Sequence, residues 1–239
     1  MSFPHFQPVE FPDPETADEN GIVCLGADLS PETLISAYRQ GIFPWPMLGE
    51  GFPIPWCSPD PRAVIEFDNL HVSRRLARTI KSGKFRVTSD AAFAEVMRGC
   101  AAPRDDAEPD PFDFFFGAEP NHTWITPEMI AAYCLLHRLG VAHSVEVWHE
   151  AKLAGGVYGV ASGGAFSGES MFYRVRDASK VALVVLVRHL EECGYRLFDI
   201  QQYTDHAGSM GATEISRRRY LQRLRAAVNL PISFGHVGS

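Results

Sequence analysis

The most informative stretch of this 239-residue chain is residues 143–171, which read HSVEVWHEAKLAGGVYGVASGGAFSGESM. Apolar and polar side chains alternate over residues 143–148, as in a strand with one covered face. Two further apolar segments, residues 153–161 and 165–171, follow after short turns such as Gly163-Gly164. The simplest prediction is two antiparallel neighbours joined by a short turn.

Helices and further strands surround this stretch. Residues 179–192 form a strongly apolar helix that stops at Gly194, residues 195–203 form a strand, and a basic helix follows Ser216. The upstream elements are strands at 64–67 and 85–88, helices at 71–82 and 91–98, and a helix from a Thr126 cap to Leu139. This order predicts an α/β (α+β) fold in which helices flank a mixed sheet.

The first part of the chain has a different character. Ser30 and Pro31 mark the cap and first position of a helix that ends at Gly41. Residues 41–62 are rich in proline and tryptophan, which favours a rigid loop over a central strand, because proline has no N–H to donate. We therefore predict a small N-terminal domain, residues 1–70, with Pro/Trp-rich loops, and a larger domain, residues 71–239.

Composition excludes several classes of protein. The longest apolar run, residues 181–187, is too short to cross a bilayer, and the proline-rich, acidic start does not resemble a signal peptide. Five cysteines without a C-x-x-C pair indicate reduced thiols in a cytosolic protein. We find no ATP loop, no dinucleotide fingerprint and no metal-ligand spacing of histidines, so we expect neither cofactor nor metal.

Charge is segregated along a chain whose net charge is −7. Residues 62–104 are predominantly basic, and the predicted helix at 71–82 carries Arg74, Arg75, Arg78 and Lys81. A solvated helix face is the ordinary interpretation of such a run. The alternative is local contact with nucleic-acid phosphates by an otherwise acidic protein, and a patch of this size suits a transient RNA contact.

Three short segments could carry chemistry. Asp199 and Gln201 are two apart on a predicted strand, so a carboxylate and an amide would lie side by side on one face. Glu169 lies in an apolar segment, where it either pairs with Arg174 or Arg176 or faces a cleft and binds a cation. Each segment also has a structural interpretation, and for Asp199 and Gln201 that is a polar strand end bonded to a loop.

The third segment is the start of the apolar helix. Lys180 lies in its first turn, where a cation opposes the helix dipole. Together with the N-terminal N–H groups of the helix, Lys180 could bind a phosphate, whereas the simpler interpretation is a surface lysine.

Together, nine segments resemble one family, the bacterial leucyl/phenylalanyl-tRNA–protein transferases. In chain order they are Gly26-Ala-Asp-Leu-Ser-Pro31, Tyr38-Arg-Gln-Gly-Ile-Phe-Pro-Trp45, Trp56-Cys-Ser-Pro-Asp-Pro-Arg62, Thr123-Trp-Ile-Thr126, His143-Ser-Val-Glu-Val-Trp148, Gly155-Gly-Val-Tyr-Gly159, Gly168-Glu-Ser-Met-Phe172, Ala178-Ser-Lys180 and Asp199-Ile-Gln201. They cover about residues 20 to 221 in family order. Residues 105–121 are longer and more acidic than the usual connection in the family.

The resemblance implies a GNAT-like catalytic domain behind the small N-terminal domain. It implies transfer of Leu or Phe, and less well Met, from aminoacyl-tRNA to the α-amino group of proteins that begin with Arg or Lys, which tags them for degradation. It also implies a monomeric cytoplasmic enzyme that uses no ATP, metal or acyl-CoA and contacts no membrane.

The resemblance also assigns residues by motif. Asp199 and Gln201 correspond to the catalytic pair. The predicted substrate-binding residues are Trp45, Trp124, Phe166, Glu169, Met171, Leu183, Leu186 and Leu190. The predicted tRNA phosphate contacts are Lys180, Arg74, Arg75, Arg78 and Lys81.

This chemistry suits the residue types. An aminoacyl ester is already activated, so positioning of the amine supplies much of the rate. We expect Gln201 to accept a hydrogen bond from the amine, Asp199 to strengthen that amide as a base-like relay, and Glu169 to favour a basic acceptor. Two alternatives are an acyl-CoA N-acyltransferase, which would carry a glycine-rich loop where residues 176–180 read RDASK, and a non-catalytic reader of N-termini or tRNA ends.

Overall fold

The structure is a computed structural model that describes residues 9–46, 52–102 and 124–237. The strands are β1 (Ile22–Leu25), β2 (Phe43–Pro44), β3 (Pro55–Cys57), β4 (Arg62–Ile65), β5 (Arg86–Ser89), β6 (Ala142–His149), β7 (Lys152–Ser162), β8 (Ala165–Tyr173), β9 (Leu197–Gln201) and β10 (Ala212–Ile215). The helices are α1 (Pro31–Arg39), α2 (Arg74–Lys81), α3 (Phe93–Ala101), α4 (Pro127–Arg138), α5 (Ala178–Glu192), α6 (Asp205–Gly208) and α7 (Arg217–Ala227). The acidic segment 105–121 lies outside the described residues.

The predicted mixed sheet is confirmed. Seven strands lie in the order β10-β4-β9-β8-β7-β6-β5, and every pair is antiparallel except β8 with β9. The predicted antiparallel neighbours joined by a short turn are β7 and β8, and β6 extends them on the other side of β7. The parallel pair β8 and β9 is joined through α5, because parallel neighbours need a crossover connection. The sheet is therefore mixed, as predicted.

The helix starts also follow the predicted signals. The Ser30 hydroxyl accepts a hydrogen bond from the Thr33 N–H at 3.3 Å, and the Thr126 hydroxyl accepts one from the Met129 N–H at 3.3 Å. Ser216 caps α7 in the same way. These contacts satisfy N–H groups that the first helical turn leaves unpaired.

The Pro/Trp-rich segment is not only a loop, which corrects the prediction. β3 is the middle strand of a second, three-stranded sheet in the order β1-β3-β2. Its proline, Pro55, is the first residue of the strand and contributes its carbonyl, which accepts a hydrogen bond from the Trp45 N–H at 2.8 Å. A proline at a strand start is compatible with pairing because only its missing N–H limits the ladder.

The chain passes from one sheet to the other between β3 and β4. The three-stranded sheet ends with Cys57, and β4, which begins at Arg62, belongs to the seven-stranded sheet. The domain boundary near residue 70 stays a prediction.

Apolar clusters fill the space on both faces of the large sheet. One cluster joins α1, α3 and α4 to the small sheet and includes Leu34, Trp56 and Tyr133. A second joins α5 to β6–β8 and includes Val145 and Val184, and a third packs α7 on β4 and β9 and includes Val64. Within the described part of the chain, no helix is both long and apolar enough to cross a bilayer.

Candidate active site

The centre of the site is the end of β9, where the strand is irregular. Ala63 of β4 pairs with Gln201 and the next residue, Val64, pairs with Asp199, so Ile200 is an extra residue in β9. Gln201 has a φ of +65°, in the left-handed region. A non-glycine residue in this conformation costs about 1–3 kcal/mol and persists only where the surroundings hold it.

Asp199 lies beneath this bulge in a buried ion pair. Its Oδ1 accepts a hydrogen bond from Arg62 Nε at 2.8 Å, and its Oδ2 accepts one from Arg62 Nη2 at 2.7 Å. Both side chains are 1% exposed. Burial alone lowers the pKa of the Arg62 guanidinium, but the attraction of Asp199 and Tyr220 outweighs it and raises the pKa.

Among the described residues, the hydrogen bonds of Gln201 differ from the predicted pairing of its amide with the Asp199 carboxylate. Gln201 donates its backbone N–H to Asp199 Oδ1 at 2.8 Å, and its amide Nε2 donates to Glu169 Oε1 at 2.6 Å. The bulge removes the simple alternation on which the prediction rested. Gln201 Oε1 makes no hydrogen bond to another described residue.

Glu169 joins the Gln201 amide to a pair of buried tyrosines. Tyr133 donates to Glu169 Oε2 at 3.3 Å, and the Tyr133 and Tyr38 hydroxyls lie 2.5 Å apart. Burial raises the pKa of Glu169 to about 8, with the charge of Asp199 adding to the effect and the tyrosine hydrogen bonds opposing it. Glu169 is therefore mostly a neutral acid at pH 7, and its partners are not Arg174 or Arg176.

Glu169 also lines a cavity of about 480 Å³. Met171 and Leu183, both predicted to bind substrate, form part of the apolar wall. Ser179 in the first turn of α5 lines it too, as do Asp205 and the other residues at the start of α6. Gln201 is 8% exposed and is not one of the residues that line the cavity, but its amide binds Glu169, which is one of them.

Other predicted binding residues lie in the packed interior. Phe166, Leu186 and Leu190 are at most 1% exposed within the cluster around α5 and do not line the cavity. Trp45 is 8% exposed beside Phe43, and Trp124 is part-buried at the edge of the cluster around α1. These five side chains shape the walls from behind or lie apart from the cavity.

The predicted phosphate contacts lie on the surface near the start of α5. Arg74, Arg75, Arg78 and Lys81 are exposed on α2. Arg75 Nη2 forms an ion pair with Asp177 Oδ1 at 2.9 Å, just before the first turn of α5 that carries Lys180. The structure thus places the five basic residues on neighbouring elements.

Sequence reasoning did not single out Arg62, Tyr133 or Tyr38. One signal was available for Arg62, because it starts the apolar run Ala63-Val64-Ile65, where a charge needs a partner. The tyrosines carried no such signal, since their helices contain other aromatic and aliphatic residues with the same spacing. Only the packing of α1 against α4 brings their hydroxyls together.

The arrangement can bind an apolar acyl group beside a carboxamide that accepts from an amine. Those are the requirements for acyl transfer to an amine, so fold and site together define an N-acyltransferase-like α/β protein.

The comparisons narrow this class to one family. A family model described as "Leucyl/phenylalanyl-tRNA protein transferase" matches residues 64–225, and the model of its N-terminal domain matches residues 27–60. A leucyl/phenylalanyl-tRNA–protein transferase from Anaeromyxobacter sp. (strain Fw109-5) is 52% identical over 93% of this chain and 89% of its own. One from Nitrosomonas europaea is 52% identical over 92% of this chain and 88% of its own. The chain belongs to the leucyl/phenylalanyl-tRNA–protein transferase family and is a transferase.

A solved structure is more distant in sequence. The C-terminal domain of a putative lysylphosphatidylglycerol synthetase from Agrobacterium fabrum is 13% identical, with a TM-score of 0.36 over 75% of this chain and 55% of that chain.

Proposed function

We propose that this transferase moves Leu or Phe, and less well Met, from aminoacyl-tRNA to the α-amino group of proteins with an N-terminal Arg or Lys. The new peptide bond tags these proteins for degradation in the cytoplasm. The observation that carries the proposal is the carboxamide of Gln201, which Glu169 holds beside a cavity with an apolar wall.

The reaction needs an oriented amine and an activated ester. The amine nitrogen attacks the ester carbonyl, and the bond from that carbon to the ribose oxygen breaks. The amine loses one proton and the ribose oxygen gains one. Because Gln201 Nε2 donates to Glu169, Oε1 is the atom that accepts a hydrogen bond from the incoming amine. Orientation of this kind supplies a large part of the rate enhancement when the ester is already reactive.

The cavity also supports the predicted selectivity. Met171 and Leu183 provide an apolar wall for Leu, Phe or Met, and such walls discriminate weakly among apolar groups of similar size. Because Glu169 is mostly neutral at pH 7, the other carboxyl group among the lining residues, Asp205, is the one that favours a cation, and these residues contain no Lys or Arg. A cationic acceptor end is therefore electrostatically compatible with the part of the cavity beside Asp205.

The tRNA contact is a separate part of the proposal. The exposed basic side chains of α2, together with Lys180, would bind backbone phosphates on the outside of the cavity. We also propose that the enzyme acts as a monomer.

Mass spectrometry of a peptide product tests the proposal. Leu-tRNA is incubated with a peptide that begins with Arg and with a matched peptide that begins with Ala. We expect one added leucine on the Arg peptide, and a loss of about 100-fold or more in this product for Gln201→Ala, as removal of a positioned hydrogen-bonding group predicts. Gln222→Ala, an exposed residue of α7, is the control.

Each alternative function has a distinct outcome in this assay. Stoichiometric binding of the Arg peptide without a product would indicate a non-catalytic reader. Acetylation of the peptide with acetyl-CoA, without dependence on aminoacyl-tRNA, would indicate an acyl-CoA transferase. Either result contradicts the proposed transfer.

A further inference from the structure

Arg62 is a fully buried cation to which the catalytic scheme so far gives no role. We propose that Arg62 is a positioning residue which, through Asp199, holds Gln201 in the conformation that presents its carboxamide to the acceptor amine. This inference rests on the proposed function of Gln201. It also gives Asp199 a role other than that of a proton relay.

Arg62 is immobilised on several sides. Its guanidinium carbon lies 4.3 Å from the centre of the Tyr220 ring and 4.9 Å from the centre of the Phe43 ring. Its Nη1 donates to the Gly41 carbonyl at 3.2 Å, while Nε and Nη2 bind Asp199. A planar guanidinium held in this way fixes both oxygens of the carboxylate.

The Asp199 carboxylate has no capacity left for a substrate proton. Besides the two Arg62 donors, it accepts hydrogen bonds from Tyr220 Oη at 3.0 Å, Ser167 Oγ at 3.3 Å and the Gln201 backbone N–H at 2.8 Å. Five donors therefore share the roughly four lone-pair sites of the carboxylate, and Asp199 is 1% exposed. A base in such surroundings has no access to the amine, whereas an acceptor for a backbone N–H is well placed.

The contact with the Gln201 N–H connects the ion pair to the site. Gln201 has a φ of +65° and pairs with Ala63, which directly follows Arg62 in β4. If the backbone of Gln201 relaxed to ordinary strand geometry, its side chain would turn toward the other face of the sheet. Its amide would then lose Glu169 and the cavity.

Steady-state kinetics of Arg62→Lys with the Arg peptide and Leu-tRNA test the proposal. Lysine keeps the charge but cannot bind both carboxylate oxygens in a fixed plane. We expect kcat to fall about 10- to 100-fold, as for small displacements of a reacting group, while KM for the peptide stays within about twofold.

The matched control is Arg223→Lys. Arg223 also binds a carboxylate through two nitrogens, at 2.5 and 2.8 Å from the Glu66 oxygens, but it does not contact Asp199 or Gln201. We expect this variant to keep its kcat. If both variants lower the unfolding temperature and neither lowers kcat, Arg62 is only structural and the inference fails.

Two variants of Asp199, Asp199→Asn and Asp199→Ala, distinguish a positioning role of Asp199 from a proton-relay role. They also test the proposal if Arg62→Lys does not fold. Asparagine keeps an oxygen for the Gln201 N–H but cannot take up a proton at neutral pH. We expect kcat of Asp199→Asn to exceed that of Asp199→Ala at least tenfold, with the wild-type pH profile. Equal inactivity of the two folded variants would establish a relay and refute positioning.

An assay of the wild-type protein distinguishes failure of the proposed function from failure of the proposed role of Arg62. If it transfers no Leu, Phe or Met to the peptide, the proposed function fails before any variant is measured. If it transfers them and the variants behave as structural substitutions, only the role of Arg62 is rejected.

Discussion

Gln201 contacts two carboxyl groups whose surroundings differ. Asp199 binds its backbone and is neutralised by Arg62, away from solvent and with every lone pair engaged. Glu169 binds its side chain, lines the cavity and is paired with neutral hydroxyl and amide groups, so burial raises its pKa to about 8. The two carboxyl groups therefore differ in their surroundings, because only Asp199 forms an ion pair with Arg62, whereas Glu169 is bound by neutral groups and burial dominates its pKa.

Removal of Asp199 should have the largest effect on stability. Asp199→Ala leaves Arg62 buried without a counter-charge, and we expect the free energy of unfolding to fall by about 3–5 kcal/mol. Urea denaturation measures this. The double variant Arg62→Met/Asp199→Ala should lose less than Asp199→Ala alone, since it removes both charges. A double variant that is less stable than the single one would mean that the ion pair is not the source of the effect.

Replacement of Glu169 should stabilise the protein at alkaline pH, whereas removal of Asp199 destabilises it. The folded-state pKa of about 8 lies above the ordinary value of 4.5, so the folded protein retains a proton that the unfolded chain has lost. Stability from this group is complete below about pH 4.5 and is lost as pH rises through 8, by at most about 1.4 kcal/mol per pH unit.

Glu169→Gln, which is neutral throughout, should remove this dependence. Denaturation curves of the two proteins at about pH 5 and about pH 8 provide the measurement, and we expect the variant to be relatively more stable at the higher pH. Parallel pH dependences would show that Glu169 titrates near its ordinary value. The contrast between the two carboxyl groups would then be absent.

The smallest expected effect on stability comes from the backbone of Gln201, the residue that contacts both carboxyl groups. Gln201→Gly and Gln201→Ala both remove the side chain, but only glycine adopts a φ of +65° without strain. We expect the glycine variant to be more stable by about 1 kcal/mol or less, because its greater unfolded-state entropy offsets part of the gain. If alanine is the more stable of the two, Gln201 does not adopt the left-handed conformation.

Most secondary structure was predictable because its signals are local. Ser30 and Thr126 cap helices as their sequence positions indicate, and the turn between β7 and β8 follows from Gly163-Gly164. The bulge in β9 was not predictable, since it depends on the pairing of β4 with β9. The two-residue spacing predicts Asp199 and Gln201 as a pair and the resemblance implies their catalytic role, yet their hydrogen bond runs through the backbone N–H of Gln201.

Local patterns in the sequence predict α1–α5, α7 and the strands β4–β9, and nine matching segments indicate the family of the chain. These properties depend on neighbouring residues or on whole motifs. Packing of distant elements brings Arg62 to Asp199, 137 positions away, and places Tyr133 and Gln201 against Glu169. The physical reason is that charge state and hydrogen bonding depend on distance and burial, which arise when separate elements pack together.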